Sequence, residues 1–471
     1  MKTIFNTTEK SNFILNMPAE TLRKYIRNLL VICVILPFIG GFFWLFTDKA
    51  KYLGASLLTL SGFTSVLIFI VALLKKDVIF HKNISYLILV ALMIFAAVTA
   101  AFALDSSIGI YGKEGRNEGV LAILSYGGLF LLGSLISKKE DVKFIFDTLI
   151  FIGILQCIIS LLQHFQLFDF PTGFKNLYSI AVENCFLPEG TSGSPIFFAT
   201  FLTLVSGIAM AGVCYEKQIK KLLFYFAALI LFALNALFTS SIIPLIGIPL
   251  AFITICIIEF IRIIKNKIAF QKSIFLNPIL KLLIIALSFG LIFVAVLMVE
   301  GITIRDKAIA FEDSFYKLFI SGSLTRKLQH FYTHTWGGTI DIIKMYPFIG
   351  TGPDCLYIPQ MDAGNLVGTP NLFDKSYNDY LYTAATRGIP SLILYLSLLG
   401  VTIKRTFGGI KQFFSDSENW YKIALLASIL SYAVVMFFGV STVLVAPYFW
   451  IMLGIANSKK LYTVTNEKKK K

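Results

Sequence analysis

The chain has 471 residues, of which 56% are hydrophobic and 15% charged, and it carries a formal charge of +15. That balance excludes an ordinary soluble globular domain and points to a polytopic membrane protein. It does not indicate nucleic acid, because the basic residues fall between apolar segments rather than on one patch.

The first 28 residues are polar and end in Arg23, Lys24 and Arg27, with no cleavable-signal pattern, so the span after them is read as a retained anchor. Apolar segments then recur at 29–46, 52–74, 84–104, 119–137, 144–163, 193–213, 222–239, 242–261 and 282–299. Three more follow at 389–403, 423–440 and 442–457. Most are near the roughly 20 residues that cross a ~30 Å hydrocarbon core. The expected fold class is an all-α integral membrane protein of about 12 transmembrane helices. Of the 42 Lys and Arg, 29 lie in segments on the same side as the N-terminus. Both termini are therefore expected in the cytoplasm, with the protein multi-pass in the cytoplasmic (inner) membrane. The domain reading is a cytoplasmic segment 1–28, a bundle 29–299, an extracytoplasmic loop 300–388, C-terminal spans 389–457 and a basic tail 458–471.

Between the ninth and tenth spans comes the long polar stretch from Glu300 to about Gly388. Within it, Leu328, Phe331, Thr335, Ile342 and Met345 recur at helical spacing, and Pro347 ends the pattern. Gly350, Gly352 and Pro353 mark a turn. A second amphipathic pattern starts near Lys375, and Arg387-Gly-Ile-Pro390 marks the membrane boundary. The loop is thus large, partly helical and rich in residues able to bind or react. His330 and His334 share one helix face at i, i+4, but no third ligand accompanies them, and no metal site is assigned. Gly350-Thr-Gly352 lacks the Gly-Lys-Ser/Thr ending of a nucleotide loop. Cys185 and Cys355 both fall in loops expected outside, where either two thiols or a disulfide fits. Ionisable groups in the spans are few and lie near helix ends, as Asp147 and Glu259 do, which argues against an ion-coupled carrier.

Four stretches, in order, carry a resemblance. They are Tyr111-Gly-Lys-Glu-Gly-Arg116-Asn-Glu118-Gly119, Gly190-Thr-Ser-Gly-Ser-Pro195, Trp336 through Tyr346-Pro-Phe-Ile-Gly-Thr-Gly-Pro-Asp354, and Asp374-Lys-Ser-Tyr-Asn378 followed by Thr386-Arg-Gly-Ile-Pro390. Together they resemble the O-antigen ligase and O-antigen polymerase superfamily of membrane glycosyltransferases, as a divergent member. The resemblance implies a cell-envelope polysaccharide enzyme of the inverting, metal-independent kind, without cofactor or nucleotide sugar. Its partners would be an undecaprenyl-pyrophosphate-linked glycan donor, a glycan or envelope acceptor, and membrane lipid. Arg116, Arg326 and Lys375 are then the candidates for binding pyrophosphate, and Tyr377, His334 and Asn378 for the catalytic positions. The chain departs from the family pattern at four places. Tyr377 stands where the family has His, and Ile242, Tyr332 and Leu187 stand where it has Arg. A lipid-linked glycan flippase and a catalytically inactive relative remain the competing classes.

Overall fold

The computed structural model describes residues 17–75, 83–167, 171, 187–239, 241–266, 277–299, 326–362, 373–459 and 461. Among the described residues the regular structure is helical throughout. In chain order the helices are α1 Ala19–Phe46, α2 Leu53–Leu74, α3 Ile84–Ala101, α4 Ser106–Tyr111 and α5 Val120–Ser134. Then come α6 Lys139–His164, α7 Pro195–Tyr215, α8 Ile219–Phe238, α9 Ile242–Asn266 and α10 Pro278–Val299. The remainder are α11 Arg326–Met345, α12 Ile358–Asp362, α13 Asp379–Ser415, α14 Tyr421–Val435 and α15 Ala446–Ala456.

Nine of the described helices are long and apolar enough to cross a membrane. Three segments expected as spans are shorter: α5 and α14 run 15 residues each and α15 runs 11. Their environment permits this. Every residue of α15 is buried, and so is most of α5 and α14, so the irregular chain at their ends is covered by protein rather than lipid. At the other extreme α1 begins ten residues before the expected span. Its first turns carry Arg23, which pairs with Asp141 at 2.8 Å at the start of α6.

The centre of the bundle is α7, with 89% of its apolar window buried, against 22% for α10 at the edge. α7 packs on α8, α9 and α14. Helices approach closely where side chains vanish, since packing rather than hydrophobicity drives association in lipid. A Cβ on Gly128 of α5 would lie 2.2 Å from the Gly62 carbonyl of α2, and one on Gly133 would lie 2.6 Å from the Ile451 carbonyl of α15. The two carboxylates expected near helix ends are both paired: Asp147 with Lys221 at 2.7 Å, Glu259 with Arg262 at 3.1 Å.

One break in a helix positions the site. α13 is two helices joined at Gly388, whose φ of 77° and ψ of 162° lie outside the helical region. Pro390 has no N–H to continue the ladder. The carbonyls of Ala385 and Thr386 instead accept from Thr351 N and Gly352 N, both at 2.9 Å, and Ile389 N donates to Pro347 O at 2.8 Å. The turn 346–354 is thereby fastened to the broken helix by main-chain bonds. Only glycine fits at 388, since a Cβ there would stand 2.0 Å from the Phe348 carbonyl oxygen. The same turn also reaches the end of α3, where Leu104 N donates to Thr351 O at 2.9 Å.

Candidate functional site

Three irregular segments meet at the end of the bundle where α3 finishes and α5 begins. They are the loop 112–119, the turn 346–354, and residues 373–378 leading into α13. The last of these is set by a cap: Asn378 Oδ1 accepts from Tyr380 N and Leu381 N, both at 3.1 Å, satisfying two of the donors a helix start leaves open. Capping the helix is therefore what the Asn378 side chain does here.

Arg116 is the hub. Its Nη2 lies 2.9 Å from Asp354 Oδ1, and its Nη1 lies 2.9 Å from Asp374 Oδ2 and donates to the Asp374 carbonyl at 3.0 Å. Asp354 is held further by Tyr382, whose hydroxyl donates at 2.9 Å, and by the Lys113 amide at 2.7 Å. Lys113 Nζ stands 3.3 Å from Asp374 and 4.3 Å above the Tyr357 ring. Lys375 pairs with Glu118 and sits 4.4 Å above the Tyr382 ring. The structure gives Arg116 to Asp354 and Asp374, and Lys375 to Glu118.

Exposure divides the cations. The Lys375 side chain is 5% exposed, whereas Arg116 is 18% and Lys113 37% exposed. Lys113 and Arg116 therefore form the face an anion would meet, and Lys375 works behind it. Electrostatics follow the pairing. Burial alone would push the Asp374 carboxyl up, but Arg116 and Lys113 pull it below its ordinary value. Burial opposes the Arg116 charge, yet Tyr382, Asp354, Glu118 and Asp374 outweigh it and raise its pKa. The Tyr377 phenol is lifted above its ordinary value by burial and then by Asp374. Glu118 is pushed up to about 7 by burial, against Lys375 and with help from Asp354.

The backbone is also unusual here. Among the described residues four that are not glycine have positive φ, and three belong to this site: Asn117 at 57°, Asp354 at 61° and Tyr377 at 49°. Asn and Asp tolerate that region, but a tyrosine there costs about 1–2 kcal/mol. Strain held at a cluster of charges is a mark of a working site rather than of a simple brace.

Beneath the ion pairs lies a cavity of about 40 Å³, lined by Glu118, Asp354 and Asp379 together with Arg387, Tyr126 and Trp450 among others. It has room for a hydroxyl group or about two or three waters. Tyr126 and Trp450 stack at 6.0 Å along its wall, and Asp379 accepts from Ser441 N at 3.2 Å.

Of the residues singled out in the sequence, Arg116, Lys375, Tyr377 and Asn378 come together. His334 lies on α11, its ring edge-on to Phe373 at 5.9 Å, one residue from Asp374. Arg326 begins α11, and its side chain, like that of His330, lies outside the described residues, as does Cys185. Cys355 is buried beside the site. No group of three metal-ligating side chains occurs among the described residues. Sequence reasoning missed Lys113, Asp354 and Glu118 as members of the site. Glu118 stood in the motif with Arg116, and a carboxylate two residues from a hub arginine was the available signal.

Fold and site together define an integral membrane helical bundle with a charged, strained pocket at one end. A family model described as O-Antigen ligase matches residues 226–396, from α8 through the break in α13. Over those residues the chain is similar to the O-antigen ligase and polymerase superfamily. No curated protein matches it.

Proposed function

We propose that the chain is a glycan polymerase or ligase acting at the extracytoplasmic face of the membrane. It takes a glycan from an undecaprenyl-pyrophosphate carrier and passes it to an acceptor hydroxyl. The observation that carries this reading is the convergence of segments 112–119, 346–354 and 373–378 on Arg116. It lies at the end of an apolar bundle, where a lipid-borne anion would arrive. The leaving pyrophosphate gathers charge as its bond to the anomeric carbon breaks, and fixed cations in a dry site stabilise that charge. In this reading Arg116, with Lys113 beside it and Arg326 from α11, screens the pyrophosphate. Lys375 stands behind them and adds positive charge toward the phosphate while it stays paired with Glu118. Tyr377 or His334 orients the acceptor, and Asn378 fixes the start of α13. The acceptor oxygen attacks the anomeric carbon from the face opposite the carrier, so the configuration inverts.

The domain plan accompanies the proposal: a bundle at 29–299 and 389–457, the loop 300–388 outside, and segments 1–28 and 458–471 in the cytoplasm. Orientation is tested on Lys344→Cys, an exposed position of α11. An impermeant maleimide is expected to label it in intact cells. Protection until lysis would place the loop on the wrong side and end this reading. Activity is tested with the full chain in nanodiscs and undecaprenyl-pyrophosphate-linked glycan extracted from the source membrane. Longer or transferred glycan is expected from the wild type. Unchanged product from both Arg116→Ala and Arg326→Glu would remove the pyrophosphate assignment.

A further inference from the structure

Four carboxylates stand at the site, and Asp354 is the one engaged through both oxygens. Asp354 holds Tyr382, the Lys113 amide and Arg116. Asp374 holds Arg116 and Lys113. Asp379 is buried at the start of α13 and holds the Ser441 amide through Oδ1. Glu118 differs. Lys375 engages its Oε2, and among the described residues Oε1 carries no hydrogen bond. Glu118 also lines the cavity that has room for a hydroxyl. The pair with Lys375 fixes the carboxylate without covering it.

We propose that Glu118 is the catalytic base that takes the proton of the acceptor hydroxyl. The inference rests on the glycosyl-transfer reading above and adds to it the group that receives the proton. The acceptor oxygen forms its bond to the anomeric carbon as its proton passes to Glu118 Oε1. The bond from that carbon to the pyrophosphate oxygen breaks, and its electron pair leaves with the undecaprenyl pyrophosphate. Glu118 then releases the proton to water. Tyr377 is poorly suited to this role, since its phenol holds its proton above the ordinary tyrosine value.

A useful base titrates near the working pH. Burial pushes Glu118 up to about 7, with Lys375 and Arg116 opposing and Asp354 assisting. The other charged and titratable groups around the cavity are Asp379, Tyr382, Arg387 and Tyr395 from α13 and Tyr126 from α5. The base is the deprotonated form, so rate rises with pH through about 7 and levels above it.

The test follows transfer against pH with the full chain in nanodiscs and the extracted lipid-linked glycan. Glu118→Gln is expected to lower the rate by about 10²–10⁴-fold and to erase the pH dependence near neutrality. That variant strands Lys375, so Glu118→Gln combined with Lys375→Met removes both charges and keeps the pair neutral. The double variant is expected to keep the wild-type melting temperature and still lose transfer and the pH limb. Recovery of the rate with its pH limb in the double variant would make Glu118 a brace for Lys375 and overturn the proposal. Wild-type transfer with an unaltered profile in Glu118→Gln would overturn it too, leaving the transfer reading intact. Absence of transfer by the wild type at every pH would instead sink the transfer reading, and this base with it.

Discussion

Two half-buried arginines, at opposite ends of α3, are handled in opposite ways. Arg405 donates to the carbonyl and side-chain oxygens of Asn457, at 3.0 and 2.9 Å, and to Asn83 Oδ1 at 2.9 Å. Ser85 and Thr402 complete the group through Asn457. Those acceptors are neutral, and they cap α3 and α15, so the cluster ties two helix ends to the side of α13. Arg116 meets carboxylates instead, on loops, beside a cavity, with three neighbouring residues at positive φ. The contrast separates a clamp from a site. Amides satisfy a charge without answering to pH or to an arriving anion, whereas carboxylates can be exchanged for a phosphate.

That distinction is open to direct attack. The largest effect is expected from Arg116→Ala. It leaves Asp354 buried beside no guanidinium, a loss of about 3–5 kcal/mol for a broken buried pair. Transfer should fall by about 10²–10³-fold as a phosphate-facing donor is removed. Thermal unfolding and the nanodisc transfer assay check both, and a variant as stable and active as wild type would erase the contrast. Next comes Gly388→Ala. It forces a side chain into left-handed backbone against the Phe348 carbonyl, at about 1–3 kcal/mol for the strained backbone. Proteolysis in the 346–354 turn is the sensitive readout. Arg405→Met should cost about 1.5–3 kcal/mol through lost charged hydrogen bonds. The clamp reading further requires its KM for the donor to stay at the wild-type value. Asn378→Ala removes a cap worth about 1 kcal/mol and should loosen the first turn of α13 in hydrogen exchange. The smallest change is expected from Lys344→Ala, which breaks an exposed pair with Asp341 and should shift stability by at most about 0.5 kcal/mol.

Much of the scaffold was legible because lipid demands long apolar helices and leaves few alternatives. The helix 326–345 and its end at Pro347 could be read from spacing and proline, whereas Gly388 was legible as a membrane boundary and not as a break in a helix. The lengths of α5, α14 and α15 could not. A short helix is tolerable only where neighbours cover its ends, and hydropathy does not report neighbours. Motif order brought Arg116, Lys375, Tyr377 and Asn378 to the same site. The pairing among them was hidden, because Arg116 meets Asp354 and Asp374 across some 240 residues of chain. Local pattern carries no signal at that range. The left-handed backbone at Tyr377 was equally invisible, since tyrosine is not a residue that advertises it.

The joint at Gly388 is written in peptide groups. Thr351, Ala385 and Thr386 contribute amides and carbonyls to it, and their side chains are bystanders to those bonds. Replacements of similar size at these three buried positions therefore keep the seam closed. A proline at 351, which deletes one amide proton, opens it where no ordinary substitution would.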